Sequence, residues 1–320
     1  MPHPLVVRLR HWIGDAVLGV PALRLLESAG HELVLVGKPW AGALLAGEGW
    51  KVEKLAGGTR ERIAQLRALR RAARERDPGF DRRLNAVVFP FSFGSALEAR
   101  LAGLRAMGYA YEGRSLLLAR ALPLPRGVHE LQSYWHLAAA FTGTSAPPPP
   151  VIGLKVAPAA REKARARQQA LGLEHGRYVV LCPFAGGTYD GTDKRWPDFA
   201  AFAAEAARAW GLPLLLCPGP GEAAGVREAY PAALVAEGVA LDEYAALLQD
   251  AALMVSNDTG PGHLAAAVGA PLLSVLGPTD PAQWGPWGPS ATLVQRLPGW
   301  PAVREVLDAG ARILADHGGA

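Results

Sequence analysis

Residues 253–281 constrain the fold of this chain more than any other stretch. Two short apolar runs, at 253–255 and 272–276, have the composition of strands buried in a parallel sheet. Between them, Asp258 or Thr259 can cap a helix whose first turn contains two glycines and a proline. Such a junction presents backbone N–H groups and the positive end of a helix dipole at the carboxyl edge of a sheet, where a phosphate group can bind. A capped helix without any ligand is the simple alternative.

The same alternation of strands and helices runs through both halves of the chain. In the first half, strands are predicted at residues 5–9, 32–36, 52–55 and 86–89, and helices at 16–28, 59–76 and 129–141. In the second half, strands are predicted at 178–182 and 213–217, and helices at 160–171, 198–210 and 241–250. Strands that alternate with helices of this length form βαβ units with a parallel sheet.

A run of four prolines, residues 147–150, separates the two halves. Such a run can form neither a helix nor a central strand and makes a stiff, extended spacer, although a surface loop within one domain has the same composition. Because the alternation restarts after it, we predict an α/β chain with two domains, residues 1–150 and 151–300. A last helix is expected in residues 301–320.

Composition and charge limit the setting in which the chain works. No run of 18 or more apolar residues occurs, and a strand is predicted close to the first residue, so we expect no membrane span, no signal peptide and a cytosolic location. Cys182 and Cys217 lie in apolar runs and are expected to be buried thiols. Residues 1–150 contain 20 Lys and Arg against 12 Asp and Glu, whereas the remainder contains 13 against 17. The basic half predicts an anionic partner, such as a phosphorylated lipid or a membrane surface, or else a solvated helix face; no nucleic-acid-binding module accompanies the charge.

Two further segments place polar side chains after predicted strands. Asp15 follows the first strand in a Gly-Asp pair and is either a helix N-cap or a functional carboxylate. Arg10 and His11 precede it and could bind an anionic acceptor, tune the aspartate or face solvent. Lys194 ends a glycine-rich loop after strand 178–182 and is followed by Arg-Trp-Pro. This loop is not a P-loop, because the pattern Gly-x4-Gly-Lys-Ser/Thr is absent, and an exposed Lys-Arg pair is the alternative.

Together these motifs resemble the ADP-heptose:lipopolysaccharide heptosyltransferases, glycosyltransferase family 9. They are Gly-Asp at 14–15 with Pro-Ala-Leu at 21–23, Lys-Arg-Trp-Pro at 194–197, and Asp-Thr-Gly-Pro-Gly-His at 258–263 with Gly-Ala-Pro at 269–271 and Gly-Pro-Thr-Asp-Pro at 277–281. The resemblance implies the GT-B fold, in which two Rossmann-like α/β domains with parallel sheets face an interdomain cleft. It also implies that the last helix packs back on the N-terminal domain. Residues 80–150 lie outside the resemblance and are expected to contact the acceptor.

The resemblance assigns roles to individual residues. Asp15 would be the general base. Lys194 would bind the diphosphate, Glu222 the donor ribose and Asp258 the sugar hydroxyls. The full set of expected donor- and phosphate-binding residues is Thr188, Thr192, Lys194, Glu222, Asp258, Thr259, Gly260 and His263. A glutamate at a helix start and a packed histidine are the structural alternatives for Glu222 and His263.

The expected activity is inverting transfer of a sugar, heptose from ADP-heptose by the resemblance, to a saccharide or glycolipid acceptor. One carboxylate suffices because the nucleoside diphosphate leaves as a stable anion, unlike the leaving group in glycoside hydrolysis. No Asp-x-Asp motif stands out as a metal site, so no obligatory metal or other cofactor is expected. The alternatives are another nucleotide-sugar donor, a nucleotide-binding protein without activity, and an NAD-dependent oxidoreductase, although the first strand lacks the required Gly-x-Gly-x-x-Gly. The enzyme is expected to be cytoplasmic or peripheral at the inner membrane.

Overall fold

The computed structural model describes residues 2–317 and divides the chain into two compact units, one ending at Pro149 and the other beginning at Pro150. Each unit contains a sheet of six parallel strands together with helices. The predicted fold class, two Rossmann-like α/β units with parallel sheets, is therefore confirmed. Among residues 2–317, no helix is both long and apolar enough to cross a bilayer.

The sheet of the N-terminal unit has the strand order β3-β2-β1-β4-β5-β6. Its strands are β1 (His3–Arg8), β2 (His31–Gly37), β3 (Lys51–Lys54), β4 (Ala86–Val88), β5 (Ala106–Ala110) and β6 (Arg120–Pro123). Its helices are α1 (Ile13–Leu18), α2 (Val20–Ser28), α3 (Ala41–Leu44), α4 (Thr59–Arg76), α5 (Phe93–Leu101) and α6 (Glu130–Thr142). Val6 and Val88 of the sheet pack in one buried cluster with Leu66 of α4 and Ala96 of α5.

Helix α6 has strong signals at both ends. His129 precedes it, and its ring Nδ1 accepts the Leu131 N–H at 3.1 Å, while the Gln132 side chain accepts the His129 N–H at 2.9 Å. This reciprocal capping satisfies N–H groups that the first helical turn leaves without partners. Gly143 ends the helix in the left-handed region at φ 81°, where glycine has no steric penalty. The helix is therefore a well-defined support for the side chains of its first turns.

The arginine-rich helix α4 occupies the residues predicted for it. Arg70 and Arg74 both pair with Asp81, at 2.7 and 3.1 Å, and Arg76 pairs with Glu32. Part of the positive charge of this helix is thus neutralised within the N-terminal unit.

The sheet of the C-terminal unit has the order β11-β10-β7-β12-β13-β14. Its strands are β7 (Val179–Cys182), β10 (Leu214–Leu216), β11 (Ala233–Val235), β12 (Leu253–Asn257), β13 (Leu272–Leu276) and β14 (Ala291–Gln295), and a separate hairpin is formed by β8 (Thr188–Tyr189) and β9 (Thr192–Asp193). The helices are α7 (Pro158–Leu171), α8 (Phe199–Ala209), α9 (Val226–Ala229), α10 (Leu241–Gln249), α11 (Gly260–Val268), α12 (Pro281–Trp284) and α13 (Val303–His317). Cys182 is buried, Cys217 is partly buried, and both are free thiols.

The last helix, α13, packs within the C-terminal unit. Its Val306, Leu307 and Ala309 are buried in the same apolar cluster as Phe202 of α8 and Leu253 of β12. Gly310 adds to this close packing, because a Cβ built on it would lie 2.5 Å from the Trp210 ring. The apolar face of this helix therefore completes the core of the C-terminal unit, and the expected packing of the segment on the N-terminal domain stays a prediction.

Both sheets reverse their strand order at one point. The reversal lies between β1 and β4 in the N-terminal unit and between β7 and β12 in the C-terminal unit. In open parallel sheets, ligands bind outside the carboxyl ends of the strands at such a point. The loops that follow these four strands are therefore the first places to look for functional side chains.

Candidate active site

Asp15 lies beside the reversal point of the N-terminal sheet, on helix α1 after strand β1. The helix begins at Ile13 with Trp12 at the N-cap position, so Asp15 belongs to the first turn and is not the N-cap. Its side chain is 13% exposed. Oδ1 accepts hydrogen bonds from Arg10 Nη1 at 2.8 Å and from the Tyr134 hydroxyl at 2.7 Å. No hydrogen bond to Oδ2 occurs among residues 2–317, so this oxygen is the one available to a substrate.

Arg10 joins Asp15 to a second carboxylate. The same nitrogen, Nη1, lies 2.7 Å from Oε1 of Glu130, the first residue of α6, in an ion pair without hydrogen-bond geometry. The guanidinium carbon lies 3.9 Å from the centroid of the Phe91 ring and 5.3 Å from that of Tyr134, and Nε donates to the Phe89 carbonyl at 3.4 Å. Aromatic faces and two carboxylates therefore fix the position of this cation.

A second basic cluster surrounds Glu98 at the same edge of the sheet. Arg8, the last residue of β1, is 6% exposed, and its nearest carboxylate oxygen, on Glu98, is 4.0 Å away. Its Nη1 is buried and has no hydrogen-bond partner among the described residues. Arg62 lies 3.2 Å from Glu98. Partial burial lowers the pKa of His11, and the positive charges of Arg8, Lys38 and Arg62 lower it further. Burial also lowers the pKa of Arg8 to about 10.

In the C-terminal unit, Lys194 and Asp258 meet at the reversal point of the sheet. Lys194 Nζ lies 2.7 Å from Asp258 Oδ2, with 20% and 4% of the two side chains exposed. The Thr279 hydroxyl donates to the same oxygen at 2.6 Å. Asn257, the last residue of β12, accepts the Trp196 N–H at 3.1 Å and donates to the Pro183 carbonyl at 2.5 Å. The buried amide thereby ties the loop after β7 to the end of β12 and sets the position of Lys194.

Helix α11 begins directly after this pair. Thr259 is the N-cap residue, but its side chain makes no capping hydrogen bond, and Asp258 is directed to Lys194 and Thr279 instead. A Cβ on Gly262 would lie 2.8 Å from Ser256 Oγ, so glycine is required for the close approach of helix and strand. His263 is 9% exposed. The predicted strand–turn–helix junction is therefore present, with Gly260 as the first helical residue, and phosphate binding by this turn stays a prediction.

Three further predicted donor-binding residues lie in the segments that follow β7 and β10. Thr188 and Thr192 are exposed on the β8–β9 hairpin, where a loop was expected. Glu222 is exposed and accepts the Gly219 N–H at 2.8 Å, which closes its own turn. Among the described residues, no hydrogen bond or ion pair connects these three with Lys194 or Asp258. Their roles remain predictions.

The sequence model of the family described as "Glycosyltransferase family 9 (heptosyltransferase)" matches residues 67–305 of the chain. The chain belongs to glycosyltransferase family 9. It is thus a member of a glycosyltransferase family, which favours sugar transfer over the NAD-dependent oxidoreductase considered from the sequence.

Individual relatives of this family 9 chain carry heptosyltransferase names. The chain is 36% identical over 120 residues to lipopolysaccharide heptosyltransferase 3 of Escherichia coli, which covers 34% of each protein. It is 28% identical over 237 residues to lipooligosaccharide heptosyltransferase 2 of Haemophilus ducreyi, covering 67% of this chain and 66% of that protein. These matches therefore span about a third and just under two thirds of the curated relatives.

The fold of the whole chain is similar to that of a solved relative. The structure titled E. coli ADP-heptose lps heptosyltransferase II superimposes with a TM-score of 0.78 and 23% sequence identity, covering 99% of this chain and 100% of that one. At this identity the likeness establishes the fold, which for these heptosyltransferases is GT-B.

Three groups of this family 9 site were not foreseen from the sequence. Glu130 and Tyr134 lie one helical turn apart on α6. Tyr134 is 119 residues from Asp15 in the sequence but donates a hydrogen bond to it, and Glu130 forms an ion pair with Arg10. Thr279 belongs to the Gly-Pro-Thr-Asp-Pro run that carried part of the resemblance, so a signal for it was present. Among residues 2–317, no group of three or more His, Cys, Asp or Glu is arranged to hold a metal ion.

Proposed function

We propose that this chain is an inverting heptosyltransferase that transfers heptose from ADP-heptose to a saccharide or glycolipid acceptor. The observation that carries the proposal is the carboxylate of Asp15, which is fixed through Oδ1 by Arg10 and Tyr134 and has Oδ2 available. A carboxylate held in this way can remove a proton from an attacking hydroxyl. The names of the family and of its relatives support heptose as the sugar and ADP as the nucleotide.

In the proposed reaction, the acceptor oxygen attacks the anomeric carbon of the donor as its proton passes to Asp15 Oδ2. The bond from the anomeric carbon to the diphosphate oxygen breaks, and its electron pair leaves with the nucleoside diphosphate. Attack from the side opposite to the leaving group inverts the anomeric configuration. Lys194 supports the departure because its ammonium group offsets the negative charge that grows on the phosphate oxygen. Backbone N–H groups at the start of α11 and the dipole of that helix act in the same direction.

The donor can be tested by thermal unfolding of the full chain with ADP-heptose, ADP, and the UDP and GDP sugars. We expect ADP-heptose and ADP to raise the unfolding temperature, since a ligand at one hundred times its Kd stabilises by about 2.7 kcal/mol. Asp15→Asn serves as a control that should keep this response. A larger response to a uridine or guanosine nucleotide would reject ADP-heptose as the donor while leaving the fold assignment intact.

We further propose that the acceptor carries an anionic group close to the hydroxyl that reacts. Support comes from Arg8, a buried guanidinium with one nitrogen that has no hydrogen-bond partner among the described residues, and from Arg62, which shares the single carboxylate of Glu98 with it. Buried polar groups are nearly always hydrogen-bonded, so a guanidinium left in this state is suited to a phosphate or carboxylate ligand. His11 and the basic charge of this unit remain predicted contributors to acceptor and membrane-surface binding.

The anionic acceptor can be tested with Arg8→Met and a lipopolysaccharide lacking heptose. We expect the KM for this acceptor to rise roughly tenfold or more, because a charge-assisted hydrogen bond contributes about 1.5–3 kcal/mol. The KM for the donor should stay the same. Arg105→Met is the matched control, since Arg105 precedes β5 and lies at the amino edge of the sheet. Equal effects of the two substitutions would indicate general attraction to positive charge and would refute a site at Arg8.

A further inference from the structure

Glu130 is a buried carboxyl group that has no role in the proposed reaction. Its side chain is 6% exposed, and its only ionic partner among the described residues is Arg10, at 2.7 Å from Nη1. Asp15 lies 2.8 Å from the same nitrogen. One N–H-bearing nitrogen of one cation therefore serves two carboxyl groups, which are close neighbours. A buried carboxylate is costly without a partner, so the charge of each group depends on how Arg10 is shared.

Helix α6 is built to hold this arrangement. Glu130 and Tyr134 are four residues apart and so lie on the same face of the helix. Tyr134 donates to Asp15 Oδ1, and Glu130 reaches the Arg10 nitrogen that donates to the same Oδ1. The capping of α6 by His129 and Gln132 fixes the first turn, on which Glu130 stands. The position of the second carboxyl group is therefore set by regular secondary structure.

We propose that Glu130 is a positioning residue for the transfer reaction: by holding part of the charge of Arg10, it determines how readily Asp15 accepts the proton of the acceptor hydroxyl. This inference rests on the proposed function, in which Asp15 is the base. When Asp15 becomes protonated, Arg10 loses one of its two negative partners. An ionised Glu130 keeps Arg10 paired at that moment, so proton uptake by Asp15 leaves no unpaired buried cation. With an uncharged group at position 130, Arg10 would hold Asp15 in its ionised form and make it a weaker base.

The ionisation of Glu130 then makes the reaction depend on pH near neutrality. Burial raises the pKa of Glu130 to about 7, with Arg10 opposing and Asp15 reinforcing the shift. The other titratable groups facing it are Tyr109 on β5 and Tyr134 on α6, whose pKa values burial raises above the ordinary value for tyrosine, so neither titrates near pH 7. The ionised, supporting form of Glu130 is present above pH 7 and is lost as the pH falls. The turnover number kcat should therefore rise as the pH increases through about 7.

Carboxyl-carbon NMR on the full chain with 13C-labelled glutamate tests the coupling without any substrate. The Glu130 signal, identified by its loss in Glu130→Gln, should titrate with a midpoint near 7. In Asp15→Asn the midpoint should fall by at least about one pH unit, because a negative neighbour is removed and Arg10 pairs with Glu130 alone. Asp81→Asn, which removes a more distant carboxylate of the same unit, should leave it unchanged. A Glu130 titration midpoint that is the same in Asp15→Asn as in the natural chain would overturn the inference.

Kinetics with ADP-heptose and heptose-free lipopolysaccharide provide a second test of the role of Glu130. Glu130→Gln should lower kcat roughly tenfold, which corresponds to about 1.4 kcal/mol of activation free energy, and should abolish the rise in kcat near pH 7. Glu48→Gln is the matched control, because Glu48 is a buried glutamate paired with Arg24 in the same unit. A loss of kcat in Glu130→Gln with the pH-dependent rise intact would mean that Glu130 only maintains shape and would reject the proposal. If Asp15→Asn kept full turnover, Asp15 would not be the base and this inference would fail, whereas absence of heptosyl transfer by the natural chain would reject the proposed function. If the substrates give no turnover, the NMR comparison of the natural chain with Asp15→Asn decides. If Glu130→Gln does not fold, Glu130→Asp identifies the Glu130 signal instead, because only glutamate carries the label.

Discussion

Asp15→Asn should reduce kcat by about a hundredfold to ten-thousandfold, the range contributed by a positioned general base. The amide has nearly the same shape as the carboxylate and can still accept from Arg10 and the Tyr134 hydroxyl through its oxygen. It cannot take up a proton from the acceptor. The substitution therefore removes the chemistry while disturbing the surrounding contacts as little as possible. Initial rates of ADP release at saturating donor and acceptor measure the effect.

Two comparisons make this result specific. Binding of ADP, measured by calorimetry, should be unchanged in Asp15→Asn, because Lys194 and the start of α11 belong to the other unit of the chain. Asp81→Asn removes a carboxylate paired with Arg70 and Arg74 and should leave kcat within about twofold, since partly exposed ion pairs contribute about 1 kcal/mol or less. Retained turnover in Asp15→Asn would exclude Asp15 as the base.

Much of the fold can be predicted from local patterns, because buried parallel strands appear in the sequence as short apolar runs. The apolar runs at β1, β7, β12 and β13 are bounded by turn residues, and a glycine in the left-handed region ends each of the helices α6, α7 and α11. Strands β5 and β6 lack such an apolar run. The sequence of β5 is Ala-Met-Gly-Tyr-Ala, and β6 begins with an arginine and ends with a proline. They form because β4 already offers an edge for pairing, and tertiary context of this kind outweighs local propensity.

One local signal was present and was overlooked. Asp190 and Gly191 connect β8 and β9 with φ values of 47° and 79°, and an Asp-Gly pair with both φ values positive is a favoured two-residue hairpin turn. The glycines of this segment, taken alone, predict a loop. No local signal predicts where α13 packs. The sequence of an amphipathic helix shows that one face is buried, but it does not show which surface covers that face.

The candidate site was predictable where its residues belong to motifs next to strands. Lys194 and Asp258 were predicted separately, and the structure joins them in one ion pair. Glu130 and Tyr134 were not predictable, since Tyr134 is 119 residues from Asp15 and only the folded sheet brings α6 to the end of β1. The sequence therefore indicates which chemical groups precede and follow the strands, whereas the partners that tune them depend on long-range packing.

Lys194→Met should weaken binding of ADP and ADP-heptose by roughly tenfold to a hundredfold, because a hydrogen bond from a charged donor contributes about 1.5–3 kcal/mol. Methionine keeps much of the apolar stem while removing the ammonium group. The same change leaves Asp258, 4% exposed, with the Thr279 hydroxyl as the one remaining donor to Oδ2 among residues 2–317. Breaking a buried pair in this way costs about 3–5 kcal/mol, so the unfolding temperature should fall as well.

The two effects of Lys194→Met can be separated. The double variant Lys194→Met/Asp258→Asn removes the unpaired buried charge and should recover most of the lost unfolding temperature, but it should not recover the affinity for ADP. Arg195→Met is the matched single control, since the exposed Arg195 pairs only with the neighbouring Asp193 and its loss should alter neither quantity measurably. If the double variant regained ADP affinity along with its stability, Lys194 would be a structural partner of Asp258 and not a ligand of the diphosphate. Loss of affinity without recovery would assign the ammonium group to the leaving phosphate, where its charge is needed as the sugar is transferred.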